Sequence, residues 1–495
     1  MKFKLLSFVV CVCMLVSIVF ATPVSALTIE HTGVINKFNS SGSESSDTVA
    51  FITQKFPDAL YDSIYQDLID CKESIDVEKY DLYEEDVMWV FSAVVNNNPD
   101  LFYIGDQFGY GAYSSGKVVY IVPQYKYSGS SLATARADYN ARLDTIAARF
   151  DYLSDVEAVV AVNDYLATHY EYDSYGLSFG IDYAIRDAYT MLLEKRGVCQ
   201  AYALLFTAIM DRLDINSTSV VSVPMNHQWN LVELDGEWYH IDVTWDDPTG
   251  VPSGYTYHDY MLHSDIAMSS SFGHYDWIRI DNKSEQCTST LYDDWSWTET
   301  NTQLTPHNNK WYYANNTADG IEIVEISSEG RRVVHTQKDI WNVWDNPNYV
   351  YTNSLTTSTW YGNWMLYHSQ DKLYCYDTVL NKTFYLTDLN VSSGYVYYIH
   401  NDEDVLDYVV SASPTDFSNA IHISLNSDLI HYAGDVDGDG SSTSADVLKC
   451  ALSLLGLTDD ALMTDADCDG AFTSADLLVV QQTMLGVQSH KVIYN

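Results

Sequence analysis

The spacing of apolar residues in the first third of the chain predicts helices interrupted by strands. Over residues 48–100 apolar positions recur every three or four residues, and the Asn-Asn-Asn-Pro run at 96–99 ends the pattern. The run 117–123 predicts a strand, and helical spacing returns from about 132 to 170. The apolar positions that define the first helical region are Ile64, Leu68, Ile69, Val87, Val90, Phe91 and Val94.

Residues 305–430 have a different pattern. Short runs rich in Tyr and Trp are separated by Asn, Asp, Gly and Ser, which predicts β-hairpins. A sandwich or a partial propeller would both fit, and the spacing is too irregular to define a repeat. The aromatic residues there fit a β core, although exposed ones could stack on sugar rings.

The length and composition narrow the class of protein. A chain of 495 residues predicts two to four domains, and a hydrophobic fraction of 47% can support packed cores. The 25 Lys and Arg against 68 Asp and Glu give a formal net charge of −43. Such a surface repels phosphate backbones and anionic lipid, so we expect neither nucleic acid nor a membrane surface as partner.

The first 26 residues have the pattern of a secretory signal peptide. Lys2 and Lys4 precede an uncharged apolar run, and Val24-Ser25-Ala26 offers the small residues of a cleavage site. The alternative, a retained N-terminal anchor, is disfavoured because the run is short for a membrane span. We therefore expect a secreted protein, extracellular or attached to a cell surface, with no membrane span after processing. Two of the eight cysteines, Cys11 and Cys13, lie in this segment. The other six are dispersed, without a CxxC pair, and predict neither a zinc site nor a disulfide scaffold.

Two loops near the end of the chain have calcium-binding spacing. Residues 435–448 (DVDGDGSSTSADVL) and 465–478 (DADCDGAFTSADLL) carry carboxylates at positions 1, 3, 5 and 12 and Gly at 6. Calcium prefers oxygen ligands on alternating residues with a closing carboxylate on the following helix. The sequence therefore predicts two Ca²⁺ ions, with four carboxylates, one carbonyl and one threonine at each. The expected ligands are Asp435, Asp437, Asp439, Ser441, Thr443 and Asp446 for the first ion, and Asp465, Asp467, Asp469, Ala471, Thr473 and Asp476 for the second.

The duplicated loop and helix resemble the type I dockerin family over about 434–487. The resemblance implies a small all-α module at 434–490 whose partner is a cohesin module of a scaffoldin, in a cellulosome-type, polysaccharide-degrading complex. In dockerins, positions 10 and 11 of the loops help to select the cohesin, and here they are Ser-Ala in both loops. These residues leave open which cohesin is recognised.

A thiol, an imidazole and a carboxylate lie on elements that could bring them together. Cys199 precedes an apolar run that predicts a buried helix, and a helix N-terminus favours a thiolate. His227 opens one strand-like run, Asp242 lies in the next, and Leu234 to Glu237 form the turn between them. In that hairpin the carboxylate would orient the imidazole, and the imidazole would take the thiol proton. Taken singly, a cysteine or histidine in such a setting is more often a buried core residue, whereas the three together favour catalysis.

The segments GVCQAYA and HQWNLVELDGEWYHIDVTWDDP, within 180–250, resemble the transglutaminase-like superfamily of papain-like thiol enzymes in its bacterial branch. The resemblance implies Cys199 as nucleophile, His227 as general base and Asp242 as orienting carboxylate, with no cofactor for catalysis. The backbone amide of Cys199 would be one oxyanion donor, and the second is unassigned. Superfamily members attack amide carbonyls and differ in the acceptor, which is water in hydrolysis and an amine in cross-linking.

Together these patterns predict an α+β multidomain protein. The expected parts are a signal peptide (1–26), a helical and strand lead-in region (27–150), a transglutaminase-like, papain-like catalytic domain (151–300), a β-rich domain (301–430) and the dockerin (434–490). The leading hypothesis is a docked thiol peptidase or amidase acting on a protein or peptide. Its alternatives are a cross-linking transglutaminase, a non-catalytic adhesion or carbohydrate-binding subunit, and a glycoside hydrolase.

Overall fold

The computed structural model describes the chain in segments. They are 27–34, 56–179, 184–250, 254–281, 283–317, 320–338, 357–432 without 363, 370, 380, 390, 392–393, 403–404, 413–420 and 426–429, then 436, 443–457, 473–485 and 491–493. The predicted signal peptide at 1–26 lies outside these residues. Among the described helices, none has the length and apolar character needed to cross a membrane.

The lead-in region combines two helices with an antiparallel sheet. The helices are α1 (Asp58–Ile69) and α2 (Glu84–Asn97), and the predicted stop at 96–99 coincides with the end of α2. The strands, in the order β1-β3-β4-β2, are β1 (Leu27–Val34), β2 (Ile75–Asp76), β3 (Ile104–Tyr113) and β4 (Val118–Tyr125).

The central region is mainly helical on one side of a sheet. Its helices are α3 (Gly129–Ala147), α4 (Asp155–His169), α5 (Ser174–Phe179), α6 (Ala188–Glu194), α7 (Cys199–Arg212), α8 (Val243–Asp246) and α9 (Asp265–Ser270). The helical spacing predicted from 132 to 170 thus belongs to two helices. The second begins at a capping box, in which the backbone amide of Ser154 donates to Glu157 Oε2 over 3.1 Å.

The sheet of the central region is antiparallel and has the order β10-β9-β8-β7-β11. Its strands are β7 (Ser217–Ser222), β8 (His227–Leu234), β9 (Glu237–Ile241), β10 (Met261–His263) and β11 (Trp277–Arg279), and a short parallel pair, β5 (Glu171–Tyr172) with β6 (Arg196–Gly197), lies apart. The predicted turn between β8 and β9 is present. Asp235 and Gly236 both have positive φ, 53° and 83°, which is the two-residue turn that Asp-Gly favours.

The region predicted as β-rich consists of short antiparallel meanders. The first meander contains β12 (Thr305–Pro306), β13 (Trp311–Thr317), β14 (Gly320–Ser327) and β15 (Gly330–Gln337). The second contains β16 (Ser358–Tyr361), β17 (Trp364–Ser369), β18 (Lys372–Asp377) and β19 (Lys382–Asp388). The third contains β20 (Tyr395–Asp402), β21 (Val405–Ser411) and β22 (Ile421–Leu425). The prediction of a β-rich region is confirmed. The predicted aromatic core is also present, because Trp311, Tyr312 and Tyr313 are each at most 2% exposed.

One buried hydrophobic core extends from Phe56 to Ile326. It joins the lead-in helices, the central region and the first meander of the β-rich region. The domain boundaries predicted at 150 and 300 therefore do not separate independent cores. The lead-in region is consequently placed to support side chains of the central region.

Two equal helices follow, α10 (Ser444–Leu454) and α11 (Ser474–Met484), and a strand pair, β23 (Ile430–Tyr432) with β24 (Lys491–Ile493), lies at either side of them in sequence. Thr443 and Thr473 cap the two helices in capping boxes with Asp446 and Asp476. The sequence duplication is thus repeated in local structure. The all-α character of a complete module at 434–490 stays a prediction.

Candidate functional site

Cys199 is the first residue of α7, as the sequence predicts, and its side chain is 9% exposed. The preceding Gly197 is packed so closely that a Cβ there would lie 2.7 Å from the Cβ of Ala201 and 2.9 Å from Sδ of Met191. Glycine is therefore required for α6 and α7 to approach each other at this point. This approach fixes where the helix starts, and so where the thiol is presented.

Hydrogen bonds hold helix α7, which begins with Cys199, against strand β8, which begins with His227. Asn230, on β8, donates through Nδ2 to the carbonyl of Ala203 and to Oγ1 of Thr207, both over 3.0 Å. These bonds lock the strand that begins with His227 against the helix that begins with Cys199. Since all these groups are buried, the bonds act at low dielectric and restrict relative movement.

Asn96, at the end of α2, joins the same two elements from the lead-in region. Its Oδ1 accepts from Nε2 of Gln200 over 2.9 Å, and its backbone carbonyl accepts from Nε2 of Gln228 over 3.2 Å. Gln200 follows Cys199 and Gln228 follows His227. A residue that the sequence indicates only as a helix terminator therefore bridges the neighbours of two predicted catalytic residues.

His227 connects the thiol to the carboxylate. Its Nε2 donates to Oδ2 of Asp242 over 2.5 Å, and its imidazole lowers the pKa of the Cys199 thiol. Because Nε2 is used by Asp242, Nδ1 is the nitrogen left for the thiol. The structure thus brings together Cys199, His227 and Asp242 in the order the sequence predicts.

One local expectation about Asp242 is wrong. The residue does not lie within the second strand of the hairpin, because β9 ends at Ile241 and Asp242 is the N-cap of α8. Its Oδ1 accepts from the backbone amides of Thr244 and Trp245, over 3.1 and 3.3 Å. A capping carboxylate is held by the first turn of the helix, so this position orients Asp242 more firmly than a strand position would.

The electrostatics favour an ion pair between Cys199 and His227. Burial opposes the charged forms of all three groups, but the mutual hydrogen bonds and charges outweigh it. The pKa of Cys199 is lowered, since the hydrogen bond and charge of His227 stabilise the thiolate and the amide of Gln228 donates to it. The Asp242 carboxylate raises the pKa of His227 to about 10, and His227 lowers the pKa of Asp242 to about 2. A thiolate beside an imidazolium is the reactive form of a cysteine nucleophile.

His274, which no sequence signal indicates, also contacts Asp242. Its Nε2 lies 2.8 Å from Oδ2, the oxygen that His227 uses, and the side chain is fully buried. His274 is in the segment between α9 and β11, 32 positions after Asp242. Neither a motif nor apolar periodicity marks it, so only the three-dimensional fold reveals the contact.

Aromatic rings surround the imidazole of His227. The indole of Trp229 stacks on it with centroids 5.4 Å apart and an interplanar angle of 19°, and Trp245 lies 5.3 Å away on another side. Trp245 is 37% exposed, so it also faces solvent beside the site. Burial and, to a smaller extent, the nearby Cys199 raise the pKa of Tyr172 to about 12, so Tyr172 is a neutral phenol at physiological pH.

His240, Asp265 and Cys287, near the site, form a cluster of side chains of the types that ligate metals. Trp229 Nε1–H donates to Nδ1 of His240 over 3.0 Å, and a Trp indole is a donor only. The proton of neutral His240 must then be on Nε2, where it is donated to Oδ1 of Asp265 over 2.8 Å. A metal would need that Nε2 free, so the cluster fits a hydrogen-bond relay that holds Trp229 rather than a metal centre.

The predicted calcium ligands are described only in part. Asp435, Asp437, Asp439, Ser441, Asp465, Asp467, Asp469 and Ala471 lie outside the described residues, and Thr443, Asp446, Thr473 and Asp476 lie within them. The carboxyl groups of Asp446 and Asp476 are fully buried at the starts of α10 and α11. Asp446 Oδ1 accepts from the amide of Val436 over 2.7 Å, so the closing carboxylate is drawn towards the loop that precedes it. A buried carboxylate at the start of the helix that follows each loop fits the position of the closing ligand in a calcium loop.

The described cysteines Cys71, Cys199, Cys287, Cys375 and Cys450 are free thiols. Of these thiols, burial raises the pKa of Cys287 and also raises that of Cys450, to about 11. In contrast, the pKa of Cys199 is lowered.

One known family matches the part of the chain that contains the site. Residues 144–243 match the model of the transglutaminase-like superfamily, a stretch that contains Cys199, His227 and Asp242. The chain carries a transglutaminase-like domain. Members of this superfamily are typically cysteine peptidases or transglutaminases. The superfamily expected for the predicted catalytic region is therefore confirmed, and the particular activity is a separate question.

Solved structures and curated proteins add little to the family match. One similar solved structure is a crystal structure of a TGase, with 15% identity, a TM-score of 0.21 and coverage of 30% of this chain and 47% of that one. Another is a protein from Cytophaga hutchinsonii provisionally assigned as a cysteine protease, with 17% identity, a TM-score of 0.18 and coverage of 28% and 61%. The chain spans less than two thirds of either structure. No curated protein matches it.

Proposed function

We propose that this protein is a secreted thiol hydrolase, a peptidase or amidase, that a calcium-binding C-terminal module docks to a cohesin of a scaffoldin. The observation that carries the catalytic part is the hydrogen bond of His227 to Asp242, together with Cys199 at the start of a buried helix, where His227 lowers the pKa of the thiol. The export part depends on the sequence of residues 1–26, and the docking part starts from the duplicated loops within 434–487. The proposed site of action is extracellular, in a polysaccharide-degrading complex.

The chemistry follows from the charges of the site. The Cys199 thiolate attacks an amide carbonyl carbon, and the tetrahedral oxyanion forms near the backbone amide of Cys199. Collapse breaks the C–N bond while the His227 imidazolium gives its proton to the leaving amine. His227, now neutral, takes a proton from water, whose oxygen attacks the thioester carbonyl. Release of the carboxylic acid regenerates the Cys199 thiolate and the His227 imidazolium, and Asp242 holds the ring throughout.

The docking part is supported by a repeated apolar surface on the two C-terminal helices. Leu448 and Leu455 on and after α10 are 60% and 72% exposed, and their counterparts thirty positions later, Leu478 and Leu485, are 53% and 68% exposed. Leucines at i and i+7 lie on one face of a helix. Exposed apolar residues repeated in this manner are typical of an interaction surface. The resemblance to dockerins supplies the proposed occupant, a cohesin, and calcium would order the loops that precede these helices.

Peptide hydrolysis is the first test. Purified protein is incubated with a mixed peptide library, and mass spectrometry follows new termini, with Cys199→Ala as control. The proposal predicts cleavage that is lost in Cys199→Ala. A labelled primary amine in the same reaction distinguishes the acceptor, because its incorporation at glutamine without cleavage would favour a cross-linking enzyme. Inertness of Cys199 towards both would leave the non-catalytic alternatives.

Binding to purified cohesins tests the docking part separately. We expect binding that needs calcium and that falls at least tenfold in Leu448→Asp combined with Leu478→Asp. Val379→Asp, at a position 44% exposed in the β-rich region, is the matched control. Binding unchanged in excess chelator would contradict the docking proposal and leave the catalytic one intact.

A further inference from the structure

The Asp242 carboxylate receives four hydrogen bonds. Its Oδ1 accepts from the backbone amides of Thr244 and Trp245, and its Oδ2 accepts from His227 and His274, over 2.5 and 2.8 Å. A carboxylate has about four acceptor positions, so all of them are occupied. The backbone donors would hold one oxygen of any capping aspartate. The orientation of the other depends on two imidazoles.

The proton position of His274 can be assigned from its neighbours. Nε2 faces Oδ2 of Asp242 over 2.8 Å, whereas Nδ1 faces the carbonyl of Phe272 over 3.2 Å. Both neighbours are acceptors, and the contact with the ionised carboxylate is the shorter and stronger one. Nε2 therefore carries a proton and donates it to Asp242. This role is fixed whatever the state of Nδ1.

The ring of His274 is held in place on several sides. Trp229 packs against it edge to face with centroids 4.7 Å apart, and Trp245 and Tyr260 lie 4.3 and 5.5 Å away. Two of these aromatic residues, Trp229 and Trp245, also contact His227. The two imidazoles thus share an aromatic cage as well as a carboxylate oxygen. His274 is fully buried, and its ring lies next to that of His227, with centroids 5.7 Å apart.

We propose that His274 is a positioning residue that, by donating to the oxygen shared with His227, keeps Asp242 oriented and ionised for the thiol chemistry. This inference rests on the proposed function of the site. His274 acts through Asp242 and His227 and touches neither the thiol nor a substrate. Its loss should therefore reduce the rate of the thiol reaction more than it affects substrate binding.

Two substitutions separate positioning from packing. His274→Gln keeps an N–H donor of suitable length and loses the aromatic ring, whereas His274→Phe keeps the ring and loses the donor. If positioning is the role, His274→Gln retains most of the activity, and His274→Phe loses roughly 10- to 100-fold, the rate equivalent of a hydrogen bond to a charged group. If His274 serves only to fill space, the order of the two variants is reversed.

Alkylation of Cys199 by iodoacetamide is the primary measurement, because it needs no substrate. We expect the rate below neutral pH to fall in His274→Phe and the acid limb of its pH profile to move towards neutrality. The reason is that Asp242 with one donor fewer takes up a proton at a higher pH and ceases to support His227. In His274→Gln the profile should remain close to that of the wild type. Where a peptide substrate is found, kcat should fall and KM should stay within about twofold.

His263→Phe is the matched control. His263 is also fully buried and stacks on Phe272 at 4.1 Å, but its Nε2 bonds the carbonyl of Asp259 and not Asp242. Its alkylation profile should match the wild type, with folding of every variant checked by circular dichroism. Equal profiles for wild type and His274→Phe, with Cys199 reactive, would overturn the inference alone. An unreactive wild-type Cys199 would instead overturn the proposed function.

Discussion

Asn96 accepts a hydrogen bond from the side chain of Gln200, with Oδ1 and Nε2 2.9 Å apart, although 104 residues separate them. The contact ties the last turn of a lead-in helix to the residue that follows the nucleophile. The backbone carbonyl of Asn96 makes a similar contact with Gln228, which follows His227. The lead-in region is therefore a structural part of the site rather than an appendage to it.

Asn96→Ala should slow the reaction of Cys199 as well as reduce stability. Leaving the Gln200 amide without its acceptor is expected to cost about 1–3 kcal/mol in the free energy of unfolding. The start of α7 then has more freedom, so alkylation of Cys199 below neutral pH should slow severalfold. Urea denaturation and alkylation rates measure the two effects.

Asn97→Ala is the control for that prediction. Asn97 Oδ1 accepts from Oγ1 of Thr218 and from the amide of Ser219, both over 3.0 Å, and these residues are on β7. Its replacement should destabilise the protein by a similar amount and leave the alkylation rate unchanged. If both variants slow alkylation equally, the effect is one of general stability and Asn96 has no special connection with the site.

Local signals in the sequence were enough to predict that Cys199, His227 and Asp242 could approach one another, and the family resemblance supplied the roles proposed for them. An apolar run follows the thiol, an Asp-Gly turn lies between the imidazole and the carboxylate, and the β8–β9 pairing closes the hairpin. The exact setting of Asp242 was missed, since a single residue beyond a strand end changes a strand position into a helix cap.

His274 and Asn96 could not be predicted in the same way. Each makes its contact across a large sequence separation, and an isolated His or Asn in a single sequence gives no signal of its partner. The sheets of the β-rich region show a similar limit. Aromatic runs predicted strands, but their irregular spacing does not reveal the grouping of β12–β15, β16–β19 and β20–β22 into separate meanders.

The pH dependence of alkylation tests the charge state of the nucleophile. Because His227 lowers the pKa of Cys199, the thiolate should already be present at neutral pH, and the rate should decline only on acidification. His227→Ala removes the stabilising charge and leaves burial, which raises the pKa of the thiol. The rate at pH 6–7 should then fall at least tenfold and recover towards alkaline pH.

Peptide mapping by mass spectrometry gives this measurement an internal control. Cys287 is buried and burial raises its pKa, so its peptide should remain unmodified in the folded protein at neutral pH. Cys199 and Cys287 reacting at the same rate would contradict a selectively activated thiol. So would a wild-type profile that rises only above pH 8.

Asp247 should make the wild type lose stability as the pH rises. Burial raises its pKa to about 8, with the charge of Glu171 acting in the same direction and the hydrogen bond from Tyr202 opposing. An unfolded aspartate has a pKa of about 3.9, so the folded state holds the extra proton between these values. The contribution of Asp247 to stability therefore declines between about pH 4 and 8 and stays low above that range.

Asp247→Asn removes this dependence and keeps an acceptor for Tyr202. Its Tm should fall less than that of the wild type between pH 5 and 9, and it should exceed the wild-type Tm at pH 9. Asp151→Asn, at an exposed position, is the control and should follow the wild-type curve. Parallel curves for wild type and Asp247→Asn would show that this carboxyl is already ionised at neutral pH.

Calcium titration tests the duplicated loops one at a time. Asp446 and Asp476 are buried at equivalent positions, and their Oδ2 atoms accept from the amides of Thr443 and Thr473 over 2.7 and 2.6 Å. Each should close one calcium loop, so Asp446→Ala and Asp476→Ala should each reduce the calorimetric stoichiometry from two ions to one, and the double variant should bind none. Ser453→Ala, in the last turn of α10, should still bind two.

Chelation should also make the segment 434–487 accessible to protease, because clustered carboxylates repel one another without the cation. Full stoichiometry in either single variant, or a protease pattern that ignores chelator, would remove the basis for the calcium assignment.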